Sequence, residues 1–174
     1  MILRDATPED ARAIAALHAA NWRSAYAGIL DADYLAHEVE EERLTAWRER
    51  LADPAPNFET VVALGEDGSL AGFSSLYHAH DARWGGFLDN LHTDARVRGA
   101  GYGQALLRET ARRFAARNPR TGFYLWVFED NRPARRFYER MGAEESERVP
   151  SDWTRAPDTW KYRCHWPEAH AVQA

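Results

Sequence analysis

Val97-Arg98-Gly99-Ala100-Gly101-Tyr102-Gly103-Gln104-Ala105-Leu106-Leu107 puts three glycines at alternate positions directly ahead of an amphipathic helix pattern. Before them, Phe87 to Thr93 reads as a strand. Strand, glycine-rich turn and helix together make a layout that holds an anion. The turn's N–H groups and the positive end of the helix dipole converge on one point. Glycine admits φ > 0 there and lets a ligand approach without meeting a Cβ.

Two phosphate motifs are excluded by spacing. The dinucleotide fingerprint needs a glycine three places after its second one, where this chain has Gln104 or Leu106. The P-loop needs Gly-Lys-Ser/Thr, and Lys161, the only lysine, lies far from any glycine turn.

Working outward, the chain has 174 residues, enough for one domain with a substantial core, taken as residues 1–174. No apolar run is long enough for a membrane span, and Met1-Ile2-Leu3-Arg4-Asp5 lacks a secretory core. A net charge of −5 argues against a nucleic-acid partner, which needs a basic face. The single cysteine, Cys164, forms no internal disulfide and fits a cytoplasmic setting.

Ile2 to Arg4 reads as a short strand. Thr7-Pro8-Glu9-Asp10 opens a helix, with Ile14, Leu17 and His18 on one face. Trp22 to Leu35 reads as irregular, and Glu38 to Leu51 as a second helix with a Leu44, Trp47, Leu51 stripe. Thr60 to Leu64 and Leu70 to Tyr77 form a hairpin, followed by a polar loop over His78 to Gly86. After the glycine turn come a helix, Gly103 to Ala116, and the apolar strand Phe123 to Phe128. Strand, helix, strand is a βαβ unit, so those two strands are expected to be parallel. Asn131 caps a short helix that starts at Pro133 and ends at Gly142; Ala143 to Val149 and Thr159 to Trp166 close the sheet. The expected fold is α+β: a mixed, mostly antiparallel central sheet with one parallel crossover and helices on both faces.

Arg98-x-x-Gly101-x-Gly103 resembles the acetyl-CoA pyrophosphate loop of the GNAT superfamily of N-acetyltransferases. Asn131-x-x-Ala134-x-x-Phe137-Tyr138-x-x-Met141-Gly142 resembles that family's block after its fifth strand, where a tyrosine faces the CoA sulfur. Both motifs occur in the family's order, and the resemblance covers roughly residues 2 to 165. It implies direct acetyl transfer from acetyl-CoA to a primary amine of a small molecule or peptide in a ternary complex, with no metal.

The chemistry sets its own demands. A lysine-like amine has a pKa of about 10.4 and must lose a proton to attack, so a base or a water chain is required. The oxygen that gains charge wants a fixed N–H donor, and the leaving sulfur wants a proton. A bulge or splay between strands 87–93 and 123–128 would free main-chain groups of Leu91 and Thr93 for the pantetheine arm. By resemblance, the N–H of Leu91 or His92 is the oxyanion donor. The N–H groups of Arg98, Gly99, Ala100, Gly101, Tyr102, Gly103 and Gln104 cradle the pyrophosphate, Asn131 bonds the arm or the splayed strand, and Tyr138 is the proton donor.

Asp89 is the candidate base, two residues before Leu91, where the family often has Glu. In a regular strand it shares a face with Phe87 and Leu91, and a carboxylate desolvated by apolar neighbours suits a base. Its reach is one methylene shorter than Glu, which favours a relaying water. His92 alternates away from Asp89 and reads as packed on a helix. His78 and His80 read as solvent-facing loop residues, with His80 as an accessory group near the acceptor amine. Cys164 and His165 are adjacent on a strand, point to opposite sides and make no nucleophile pair. Trp22, Tyr26 and Tyr34, with Trp153 from the loop Pro150 to Asp158, are the acceptor-wall candidates, able to stack on a substrate or hold a cation. A non-catalytic acyl-CoA sensor, a transferase for another acyl-CoA and a homodimer remain open on these residues.

Overall fold

The structure, a computed structural model, describes residues 1–172. Its strands are β1 (Ile2–Asp5), β2 (Phe58–Leu64), β3 (Leu70–Asp81), β4 (Gly85–Thr93), β5 (Phe123–Phe128), β6 (Glu144–Pro150) and β7 (Trp160–Trp166). Its helices are α1 (Ala11–Ala25), α2 (Val39–Ala52), α3 (Tyr102–Arg117) and α4 (Arg132–Arg140). One seven-stranded sheet runs in the order β1-β2-β3-β4-β5-β7-β6. Every pairing is antiparallel except β4 with β5, the predicted crossover.

Period-2 alternation divides the sheet residues between two cores. On one face α1 and α2 bury Ile14, Trp47 and Leu51 against Phe58, Val62 and Phe73. On the other, α3 and α4 bury Leu107, Phe114, Tyr138 and Met141 against Leu88, Phe123, Leu125 and Trp166. Burying a large apolar side chain is worth about 1.5–3 kcal/mol, and the fully buried Trp47, Phe73, Phe114 and Trp166 fix both helical layers to the sheet. The start of α1 follows from local chemistry. Asp10 accepts the Thr7 N–H at 2.8 Å and pairs with Arg4 at 2.6 Å, which ties the first helical turn to β1.

Two sequence expectations need correction here. The helix reaches Ala25, so Trp22 lies on α1 and not in an irregular segment; a π-helical turn, Tyr34–Glu38, then leads into α2. The polar loop His78 to Gly86 shrinks to three residues, because β3 continues to Asp81 and β4 begins at Gly85. Polar composition misled there. His78 is buried, stacked on Phe114 at 5.8 Å and bonded to Glu59 at 2.8 Å, so its polarity is satisfied inside the fold.

Candidate active site

The parallel pair sets the geometry. β4 and β5 are in register only at Gly86 with Phe123 and Phe87 with Tyr124. Beyond that point they separate, which leaves β4 main-chain groups without a β5 partner. On its other edge β4 is also irregular: Ser75 faces Asn90 while Leu76 faces Leu88, so Asp89 is an extra residue, a bulge. The splay opens a cleft of about 670 Å³ between the ends of β4 and β5, the start of α3, the side of α4 and the end of α1.

The glycine turn forms one wall. Gly99 and Gly101 have φ of 81° and 84°, and a Cβ on either would meet no protein atom within 4 Å. They are glycine for conformation and for open space on the cleft side, not for packing helix on strand. The first-turn N–H groups of α3, on Tyr102, Gly103 and Gln104, lack an intrahelical acceptor. Two expected donors turn inward: the Ala100 N–H goes to Val97 O at 3.1 Å and the Arg98 N–H to Ala95 O at 3.4 Å. Ala100 is absent from the cleft lining, whereas Arg98, Gly99, Gly101, Tyr102, Gly103 and Gln104 belong to it. The cradle is therefore narrower than the sequence suggested.

Leu91, His92, Thr93, Asn131 and Tyr138 also line the cleft, as expected. The Asn131 Oδ1 accepts from the Ala134 N–H at 3.4 Å and caps α4, so its amide group is what remains for a ligand. Tyr138 is 8% exposed, its ring in the α3–α4 core and part of its surface at the cleft. Burial, then the nearby Tyr26 phenol, push the Tyr138 hydroxyl well above the ordinary tyrosine range. It stays protonated.

Asp89 departs from expectation. Its carboxylate accepts from Arg50 at 2.7 Å and from the Asn90 amide at 2.7 Å, and it does not line the cleft. The bulge is the cause. Leu88 and Leu91 both pack toward α3 and α4, while Asp89, Asn90 and His92 face α1 and α2. One extra residue inverts the alternation, so Asp89 and Leu91 lie on opposite faces and His92 shares Asp89's side. His92 packs on His18, with ring centroids 4.5 Å apart, and on Phe73 at 5.2 Å. Burial lowers the His92 imidazole to about 4. His18 is locked behind it, its Nδ1 accepting from the Trp47 indole at 3.0 Å.

Of the acceptor-wall candidates, only Tyr26 lines the cleft, its phenol pushed up to about 12 by burial. Trp22, Tyr34 and Trp153 form an aromatic cluster with Tyr26 and Phe128. Cations of the chain itself already cover it: Arg43 lies 4.7 Å over Trp22 and Arg155 4.5 Å over Tyr34. His80 is not brought to the cleft. It sits on β3 where β3 turns into β4, at the far end of β4 from Thr93, and bonds the Tyr124 hydroxyl at 2.8 Å. Cys164 and His165 do face apart: the thiol is buried and pushed up to about 12, and His165 stacks edge-on against Trp84.

Four polar lining residues were not assigned to the site from the sequence: Asn21, Ser24, Asp130 and Arg140. Asn21 is the one amide side chain on the alanine-rich α1. Asp130 and Arg140 flank the Asn131–Met141 motif, and proximity to that motif was the available signal.

Comparison with known proteins matches this geometry. The model of the acetyltransferase (GNAT) family matches residues 15–143. An uncharacterized N-acetyltransferase of Bacillus subtilis (strain 168), YuaI, is 30% identical over 152 residues, covering 86% of this chain and 82% of the relative. Among solved structures, the PaiA N-acetyltransferase of Thermoplasma acidophilum in complex with coenzyme A superposes with a TM-score of 0.75 at 18% identity, covering 95% of this chain and 98% of that one. A spermidine N-acetyltransferase SpeG variant from Vibrio cholerae gives a TM-score of 0.71 at 15% identity, covering 99% and 98%.

Proposed function

This chain belongs to the acetyltransferase (GNAT) family, and on that premise we propose that it moves an acetyl group from acetyl-CoA to a primary amine of a small molecule or peptide, directly, in a ternary complex. The observation that carries the reading is the cleft wall at Gly99 and Gly101. Left-handed glycines there, whose Cβ positions would meet no protein atom, leave open space beside first-turn N–H groups for a diphosphate. Bound there, acetyl-CoA supplies the activated thioester.

The chain's own residues then have separable tasks. The N–H groups of Gly99, Gly101, Tyr102, Gly103 and Gln104 hold the diphosphate, and Arg98 adds charge. The edge of β4 that β5 leaves free at Leu91 and the Thr93 N–H, with the Asn131 amide, aligns the pantetheine amides; the Thr93 carbonyl is already bonded by Asn21. The N–H of Leu91 or His92 donates to the carbonyl oxygen as it gains charge. Tyr138 donates a hydrogen bond to the leaving sulfur. A phenol raised by burial is a weaker acid than a thiol of pKa about 8.5, so it stabilises charge on sulfur while solvent delivers the proton. The amine's proton leaves through water toward Asp89, whose carboxylate sits behind Arg50 and outside direct reach. Asp130, the one carboxylate among the described lining residues, draws a cationic amine to the cleft, and Tyr26 forms its aromatic side.

Free thiol released from acetyl-CoA against a panel of amines tests this, with wild type and Tyr138→Phe side by side. Turnover on at least one amine, lost in the variant while CoA still binds, is the expected result. CoA binding with no turnover on any amine would mark a non-catalytic acyl-CoA sensor. No calorimetric heat with CoA at millimolar concentration would end the assignment.

A further inference from the structure

Three cleft-lining residues from distant parts of the chain meet at one point. Asn21, in the last turns of α1, is 8% exposed. Its Nδ2 donates to the Thr93 carbonyl, at the end of β4, at 3.1 Å. Its Oδ1 accepts from the Arg98 guanidinium at 3.3 Å. Asn21, Thr93 and Arg98 all line the cleft.

Arg98 opens the glycine turn, and Asp94 feels its charge without forming an ion pair with it. Among the described residues it has no ion pair, and the adjacent Asp94 is taken by Arg96 at 2.8 Å. An amide is the side chain that can hold a guanidinium without cancelling it. A carboxylate at the same place would bind Arg98 more tightly and would oppose an incoming diphosphate. The amide also joins two parts of the site that sequence separates, the β4 end that meets the pantetheine arm and the turn that meets the phosphates.

We infer that Asn21 is a positioning residue: it holds the Arg98 side chain over the phosphate turn with its charge intact, so that α1 sets the affinity for the diphosphate of coenzyme A. The inference rests on the acetyl-CoA reading of the cleft. It names a side chain, on the helix opposite the glycine turn, that acts on the donor only through Arg98.

Calorimetric titration of CoA into wild type, Asn21→Ala, Arg98→Ala and the double variant tests it, with no need to know the acceptor. In the wild-type background Asn21→Ala weakens CoA binding about tenfold, the scale of a hydrogen bond to a charged group. In the Arg98→Ala background the same change costs less than about threefold, because the group it acts through is gone. Asn21→Asp, which differs little in shape, weakens CoA at least as much as Asn21→Ala, and its melting temperature checks that the fold is intact. An equal loss in both backgrounds means that Asn21 is only a packing residue and overturns the inference. Wild-type affinity in Asn21→Asp overturns it as well. If the wild type itself gives no heat with CoA, the reading of the cleft fails first, which is a different result from either.

Discussion

The two walls of the cleft differ in what they leave unmatched. The wall built from the glycine turn and α3 keeps main-chain donors on Tyr102, Gly103 and Gln104 without intrahelical acceptors, and a guanidinium on Arg98 held by a neutral amide. The side built from α1 and α2, most of it behind the cleft surface, is largely self-partnered. Asp89 is paired with Arg50, Trp22 carries Arg43, Tyr34 carries Arg155, and His18 is bonded by Trp47. Most buried polar groups have partners; the His18 Nε2 and the Tyr34 hydroxyl, buried on this side without one, are exceptions. A wall with unmatched donors is therefore shaped for a ligand that brings acceptors. A ligand reaching that side meets the groups that do line the cleft there, chiefly Asn21, Ser24 and Tyr26.

The largest effect expected on the donor wall comes from the phenol of α4. Tyr138→Phe lowers kcat about a hundredfold or more, the scale of removing one preorganised hydrogen-bond donor to developing charge, with CoA affinity within twofold of wild type. Steady-state kinetics and calorimetry on the same preparation check both halves. If CoA affinity falls in step with kcat, Tyr138 belongs to binding and the division of tasks on this wall is wrong. Gly101→Ala comes next. A Cβ at φ 84° costs on the order of 1–2 kcal/mol in backbone strain. It meets no protein atom, so strain is its whole cost to the free fold. Bound CoA has to share that space, so its affinity drops about tenfold or more, beyond what the melting temperature predicts.

The same contrast explains what was legible in the sequence. The donor wall is written in two contiguous runs, 97–107 and 131–142, because main-chain N–H groups and the residues that shape them are neighbours in the chain. The βαβ order and the parallel pair followed from that. The acceptor wall is assembled from α1, α2, β4 and the loop after β6, and its character depends on partners such as Arg50 for Asp89, 39 positions away. Strict alternation also failed in β4. The bulge at Asp89 adds one residue, and everything after it changes face, which no pattern of apolar and polar residues announced. His78 and His80 looked like loop residues because histidine is polar, yet His78 is buried within β3 and bonded to Glu59. Asn21 is separated from Thr93 by 72 positions, and only the fold brings them together.

On the self-satisfied wall, smaller effects are expected. Asp89→Asn lowers the rate less than tenfold, because its carboxylate is engaged by Arg50 and Asn90 and does not line the cleft. A loss as large as that of Tyr138→Phe would make Asp89 a direct base and this wall as open as the other.

The smallest effect concerns His92, whose main chain belongs to the donor wall and whose ring belongs to the other. Burial lowers its imidazole to about 4, against an ordinary histidine value of about 6.5. Between those two values the unfolded chain binds a proton that the folded protein does not, so stability rises with pH across that window. Acidifying from about 6.5 toward 4 therefore removes stability, and below that the loss levels off. His18, behind it, is also held neutral by burial, then by the neighbouring His92 and the cations Arg43 and Arg50, and it adds to the same slope. Melting temperatures of wild type and His92→Phe at pH 7, 6, 5 and 4.5 separate the two contributions. The variant keeps an aromatic ring on His18 and Phe73 but has no group to titrate, so its melting temperature falls less steeply with acid. Parallel curves would mean that the folded protein takes up the proton at His92 as readily as the unfolded chain, and that the wall beside it is wet rather than closed.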